Sequence, residues 1–299
     1  MQFPDTSRWR LRLACGAVSA LLVASAPALA ALHAIGADDQ GVGRLFTDLD
    51  MPATAVALGD GSRAFNGGLT FSAADGRFYA IANDSFGQSV LTSFSASDPA
   101  QLSTPISLGS GFVGGLAAQG NRLYAVGQDF TGAASLYRLD AGGASLVGAL
   151  GGGLFGGLTY NPRSGLLYGI AADDVGVQRR LVAIDANAAG GPTTTVLFDL
   201  GDGSRAFQGG LAWDDADRRF VAIANDSSGA SQLVAFTASS AASLTDLATP
   251  LGPGYVNAGL AWTAAPVPEP EAAWLLLAGL ATLGGRQAWR RRAAPTSAC

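Results

Sequence analysis

Five aspartates recur at one fixed place in this chain, and carboxylates in register are residues whose type and spacing could do chemistry. They are Asp38, Asp84, Asp129, Asp173 and Asp226, each closing a short segment of the kind Tyr79-Ala-Ile-Ala-Asn-Asp84. Two further clusters, Asp60-Gly-Ser-Arg63 and Asp202-Gly-Ser-Arg205, lie upstream of the segments that carry Asp84 and Asp226. Gathered on one face, such aspartates could bind a cation or the hydroxyls of a sugar. Arg63 and Arg205 could grip a carboxylate through two parallel hydrogen bonds. Two facing carboxylates about 5 to 9 Å apart could hydrolyse a glycosidic bond. The competing role is architectural, because an aspartate just past a strand accepts backbone N–H bonds and fixes a turn. Its presence in every unit favours the turn for the five, whereas only two units carry Asp-Gly-Ser-Arg. The candidate binding face is therefore Asp60, Arg63, Asp84, Asp202, Arg205 and Asp226.

Other chemistry is poorly supplied. His33 is the sole histidine and occupies the place of the tyrosines in the repeat, so it reads as a packing residue. There is no cysteine nucleophile, no His/Cys metal cluster and no phosphate-binding loop. The calcium-loop pattern that ends in glutamate is absent, and residues 31–265 contain no glutamate at all. No catalytic residue, metal or cofactor is expected. A propeller stabilised by calcium is the further alternative, and melting unchanged by a chelator would count against it.

The elements that must position these residues are visible as an internal repeat. Leu58-Gly-Asp-Gly-Ser-Arg-Ala-Phe65 returns as Leu200-Gly-Asp-Gly-Ser-Arg-Ala-Phe207, an offset of 142 residues. Within it runs a shorter period: Gly67-Gly68-Leu69, Gly114-Gly115-Leu116, Gly156-Gly157-Leu158 and Gly209-Gly210-Leu211, with Ala258-Gly259-Leu260 as a weaker fifth copy. The spacings are 47, 42, 53 and 49 residues. After each glycine pair come the aspartate-ending segment and then two more short β-rich segments, several alternating with period two. Four-stranded units of this length are propeller blades. The domain begins at a second strand (His33) and ends at a first strand (Gly259 to Trp262), so its two ends should complete one blade. The expectation is an all-β, five-bladed propeller closed by pairing of its terminal strands. The glycines should lie where inner strands crowd the axis, and Phe71, Ala118, Tyr160, Trp213 and Trp262 should wedge between blades.

Composition sets outer bounds. Residues 31–265 carry eleven arginines, no lysine and twenty aspartates, a net charge near −9. Such a surface argues against nucleic acid or an anionic membrane as partner. The two cysteines, Cys15 and Cys299, fall outside this segment, so its stability comes from packing rather than from disulfides.

The chain ends read as export signals. Arg8, Arg10 and Arg12 precede a small, apolar stretch that ends in Ala28-Leu29-Ala30, a small-x-small cleavage pattern, so residues 1–30 read as a signal helix. The alternative is an uncleaved anchor. At the other end, Pro268-Glu269-Pro270 is followed by an apolar stretch from Ala272 and then by Arg290, Arg291 and Arg292. A transmembrane helix over about 272–289 would just reach the lower limit of about 17 residues, with the arginines kept in the cytoplasm. This order of elements, over residues 266–299, resembles the PEP-CTERM sorting signal. The resemblance implies processing by an exosortase in Gram-negative bacteria that make exopolysaccharide, passing from an inner-membrane precursor to the cell surface or extracellular matrix. The short helix and the seven residues after the arginines depart from the family pattern, and an ordinary single-pass anchor is the alternative.

Two functional classes follow. The first is a non-enzymatic exported propeller that binds or scaffolds polysaccharide or protein, with the exosortase and export machinery as transient partners. The second is a secreted carbohydrate-active enzyme working through aspartates on the loop face. A shallow face with aspartates tied to backbone amides would favour the first.

Overall fold

Twenty β-strands, arranged as five antiparallel four-stranded sheets, make up this computed structural model. It describes residues 31–37, 42–47, 49, 55–60, 63–84, 86–153, 155–172, 179–207, 209–252 and 258–263. The signal segment with Ala28 and Ala30, Asp38, Asp173, and everything from residue 264 onward lie outside the described residues. The latter includes the Pro268-Glu269-Pro270 motif, the 272–289 stretch and Arg290 to Arg292. Among the described residues no helix is long and apolar enough to cross a membrane. All twenty strands fall within one compact unit, Ala30–Ala264.

Blade 1 is β4 (Leu69–Ser72), β5 (Arg77–Asn83), β6 (Gln88–Phe94) and β7 (Ile106–Ser110). Blade 2 is β8 (Leu116–Gln119), β9 (Arg122–Gln128), β10 (Ala134–Asp140) and β11 (Gly143–Gly151). Blade 3 is β12 (Phe155–Asn161), β13 (Leu166–Ala172), β14 (Arg179–Asp185) and β15 (Thr193–Asp199). Blade 4 is β16 (Leu211–Asp214), β17 (Arg219–Asn225), β18 (Ser231–Thr237) and β19 (Ser240–Gly252). Blade 5 is composite: β20 (Gly259–Thr263) pairs with β1 (Ala31–Ala37), followed by β2 (Gly43–Thr47) and β3 (Ala55–Ala57). The closing register runs Ala31↔Thr263, His33↔Ala261 and Ile35↔Gly259. The expected five blades and closure by the two ends are both present. In blades 2 and 4 the fourth strand pairs with the third all the way back to their connecting turn, Asp140 with Gly143 and Thr237 with Ser240.

Burial explains the residue patterns. Second and third strands are covered on both faces by neighbouring blades, so β17 (RFVAIAN) is buried at six of its seven positions. The fourth strand lies at the rim, and the threonine-rich β15 is exposed along nearly its whole length. The core is accordingly five apolar layers, one in each gap between blades, with no single central core. One layer joins Leu58, Phe65, Leu69, Phe78 and Phe94 to Ile35 and Ala261 of blade 5; another joins Tyr168, Ile170 and Leu181 of blade 3 to Phe207, Phe220 and Phe236 of blade 4. His33 is buried as a packing residue, edge-on to Phe78 at 4.9 Å.

Inner strands touch in a closed ring, β4 to β8 to β12 to β16 to β20 and back to β4. The second glycine of each pair makes this approach. A Cβ on Gly68 would lie 2.6 Å from the Leu116 nitrogen, on Gly115 2.5 Å from Leu158, on Gly157 2.7 Å from Leu211, and on Gly259 2.5 Å from Leu69, while Gly210 abuts Leu260. Each glycine thus meets the backbone of the following blade, and the fifth contact returns to the first.

Candidate functional site: the aspartate loops and the axial cup

Antiparallel blades send two sets of loops to one face: those from second to third strand, and those from a fourth strand to the next inner strand. The first set carries Asp84, Asp129 and Asp226, and each carboxylate holds its own turn through one oxygen, Oδ1. Asp84 Oδ1 accepts the N–H groups of Phe86 at 2.8 Å and Gln88 at 2.9 Å. Asp129 Oδ1 accepts from Thr131 N at 2.8 Å, Thr131 Oγ1 at 2.6 Å and Ala133 N at 3.0 Å. Asp226 Oδ1 repeats this with Ser228 N at 2.8 Å, Ser228 Oγ at 2.6 Å and Ala230 N at 3.0 Å. An acceptor that collects amides two and four residues on closes the loop locally.

The second set is tied down by the repeated asparagines. Asn83 N donates to Ala64 O at 2.8 Å, and Ala206 and Asn225 exchange both backbone bonds at 2.8 and 2.7 Å. The Asn83 side chain accepts from Ser89 Oγ at 2.5 Å, and that hydroxyl in turn accepts Phe112 N at 3.3 Å across the blade gap. Asn83 and Asn225 therefore explain why the Ala-Ile-Ala-Asn segment and the Asp-Gly-Ser-Arg loop recur together. Asp202 Oδ1 accepts Ser204 N at 2.9 Å. The Arg205 guanidinium holds a carboxylate with two bonds, as its geometry allows, but the carboxylate belongs to Asp246 of the same blade. Asp202, Arg205 and Asp246 line an open depression of about 520 Å³. Asp60 is exposed and Arg63 half-buried on the corresponding loop of blade 1. Among the described residues no group of three or more His, Cys, Asp or Glu is placed to hold a metal ion.

Electrostatics follow from these bonds. The Asp129 and Asp226 carboxyls are held below their ordinary value of 3.8, first by the hydroxyls of Thr131 and Ser228 and then by backbone N–H groups. A depressed carboxyl stabilises the fold at pH values above 3.8, and the contribution is lost as pH falls through the lower folded-state value. Melting temperature should therefore be insensitive to these groups above about pH 5 and decline progressively below it. The double variant Thr131→Val, Ser228→Ala should show a smaller acid-induced decline, measured by thermal melts across pH. The Asp246 carboxyl is likewise lowered, chiefly by its hydrogen bonds from Arg205. That pair is substantially exposed, with side chains 36% and 49% accessible. Arg205→Ala should cost about 1 kcal/mol or less, seen as a small shift in melting temperature.

Two exposed side chains on this face escape a search for charged residues. Phe86 is 87% and Phe130 102% accessible, at neighbouring positions of blades 1 and 2, one or two residues beyond the turn aspartates. Their signal was an aromatic residue inside an otherwise Gly/Ser/Thr turn.

The opposite face carries a second feature. Phe71, Tyr160, Trp213 and Trp262, with Ala118 in the fifth corner, do wedge between blades as expected, each at the axial end of one apolar layer. They remain only partly buried and, with Thr70 and Thr159, line a cup of about 90 Å³. Towards the aspartate face the axis narrows, at the glycine ring, to about 10 Å³.

No family model and no curated protein matches this chain. Among solved structures it is similar to TolB from Acinetobacter baumannii, with a TM-score of 0.49 and 12% identity over 88% of this chain and 74% of that one. It is also similar to the SapL1 lectin, solved in complex with alpha methyl fucoside, with a TM-score of 0.47 and 9% identity over 73% of this chain and 80% of the other. At these identities and superpositions neither neighbour's activity is carried over to this chain.

Proposed function

We propose that this chain is an exported, non-enzymatic β-propeller that binds or scaffolds polysaccharide or protein, and that an exosortase-type system sorts it from an inner-membrane precursor to the cell surface or extracellular matrix. The observation that carries the binding role over catalysis is the commitment of the aspartates: Asp84, Asp129 and Asp226 each use Oδ1 to hold their own turn. A general acid or nucleophile needs its carboxylate free to meet substrate. The sorting half of the proposal rests on the ordered elements of the tail, Pro268-Glu269-Pro270, the apolar stretch and Arg290 to Arg292.

Intact-mass measurement of the protein recovered outside the cell tests the sorting. A mature form lacking Trp274 and Arg290 supports it, and a form that retains both overturns it. Glycan arrays probed with the exported protein test the role. Glycans bound and recovered with unchanged mass support a binder, whereas shortened glycans point to the hydrolase.

A further inference from the structure

We infer that Arg63 and Phe86, on the aspartate face of blade 1, together bind the carboxylate and the ring face of an isolated uronic-acid residue in a polysaccharide. This rests on the reading of the protein as a matrix-binding propeller and names the site and ligand class within it.

The 142-residue repeat supplies an internal comparison. Residues 58–65 and 200–207 are identical in sequence. Both copies meet the same asparagine: Ala64 bridges Asn83 in blade 1, and Ala206 bridges Asn225 in blade 4. Farther out, Ser103 N donates to Ser93 O at 2.8 Å, in the same register as Thr245 with Ala235. Thr104 therefore stands where blade 4 has Asp246, and Phe86 stands where it has Ser228.

Those two replacements change what the loops can do. In blade 4 the Arg205 guanidinium donates to both carboxylate oxygens of Asp246, so that arginine is satisfied within its own blade. A threonine cannot take that part in blade 1, and among the described residues Arg63 has no ion pair and no side-chain hydrogen bond. Asp246 shows which group this loop accepts, a carboxylate presented to the guanidinium fork. The Ser228 hydroxyl is folded back on Asp226 at 2.6 Å, whereas Phe86 points its ring into solvent. The antiparallel bridge between Ala64 and Asn83 sets Arg63 opposite Asp84, two residues from Phe86. One pair of loops thus offers an unpaired guanidinium beside an uncovered aromatic ring.

A uronic acid carries both complements in one unit, a carboxylate and a C–H face that lies against an aromatic plane. A neutral sugar would leave Arg63 unmatched, and a glutamate side chain would meet Arg63 without covering Phe86. The surrounding charge sets the spacing. Asp60 and Asp84 stand near Arg63, in a segment of net charge near −9. A polymer with a carboxylate on every sugar would bring further anions within about 8 Å, one Debye length, of those aspartates. A terminal or widely spaced uronate avoids that repulsion.

The test titrates the full chain, in zwitterionic detergent micelles, with the methyl glycosides of glucuronic and galacturonic acid, the matching neutral methyl hexosides and acetyl-glutamate-amide, followed by calorimetry. At least one uronide should saturate with millimolar affinity, about tenfold tighter than its neutral counterpart. Thr104→Asp, which gives blade 1 the partner that blade 4 has, should weaken that binding roughly tenfold with no fall in melting temperature. Arg63→Ala should weaken it by about the same factor, and Phe86→Ala by about threefold. Thr104 and Phe86 are both exposed, so their variants should fold normally. Absence of saturable binding by either uronide, equal binding of the neutral hexosides, or binding indifferent to Arg63→Ala or to Thr104→Asp would overturn the inference. Acetyl-glutamate-amide bound as tightly as the uronides, with Phe86→Ala without effect, would overturn it in favour of an acidic protein partner. On the glycan arrays, acidic glycans still held by Thr104→Asp would overturn this site and leave the matrix-binding role standing, whereas no glycan held by the unaltered protein would overturn both. Failure of the mass test above bears on sorting alone.

Discussion

Gly115→Ala should lower stability by about 4 kcal/mol and the melting temperature by roughly 8–16 °C for a domain of this size. Two costs add. Gly115 has φ +112°, a conformation that L residues rarely adopt, and holding alanine there costs about 1–3 kcal/mol. The new Cβ would also lie 2.5 Å from the Leu158 nitrogen and 2.6 Å from the Gly157 carbonyl carbon. These are backbone atoms of the adjoining inner strand, so nothing flexible can give way, and overpacking of this kind costs about 1–3 kcal/mol. Gly76→Ala is the control. It too has positive φ, +68°, but a Cβ there meets nothing within 4 Å, so its cost should be about 1 kcal/mol. Thermal melts of the two variants should differ by several degrees or more, and equal melts would show that the ring of glycine contacts does not hold the blades together.

Ending the chain before Ala258 should abolish cooperative folding. That change removes β20, and with it the inner strand of blade 5, the pairing of His33 with Ala261 and of Ile35 with Gly259, and the buried Leu260 and Ala261. Buried side chains of this kind contribute about 1.5–3 kcal/mol each when large. The loss also strips one side from two apolar layers and bares the edge of β1. The sum approaches the whole stability of a typical domain, about 5–15 kcal/mol. Circular dichroism should show no sharp thermal transition, and size exclusion should show an expanded or self-associated species, since an unpaired strand edge invites pairing with another copy. A monomer that melts sharply without these residues would contradict closure by the chain ends.

Much of the fold was legible because the sterically strict positions repeat. The glycine pairs stand at the axis, where only a hydrogen fits, and their spacing counts the blades. The half-complete units at His33 and Trp262 place the closure. The candidate site was less legible. Asp84, Asp129 and Asp226 repeat because every blade needs the same turn, and a repeated carboxylate looks alike in sequence whether it binds an ion or a backbone amide. The partner of Arg205 could not be read at all: Asp246 lies 41 residues away, on the least repetitive strand type. The aromatic residues from Phe71 to Trp262 were visible as wedges, but their exposed edges depend on how far five sheets splay on one side of the glycine ring, a property of the assembled circle rather than of any one blade.

The composite blade also orders events in time. Ala31 and Thr263, hydrogen-bonded to each other, are separated by 232 positions. A ribosome adding about 5–20 residues per second needs roughly ten to fifty seconds to travel between them. Hairpins of blades 1 to 4 are local and can form as they emerge, but β1, made first, must wait for a partner made last. Wherever folding takes place, the ring cannot close until the final few strand residues are available, and they act as its keystone.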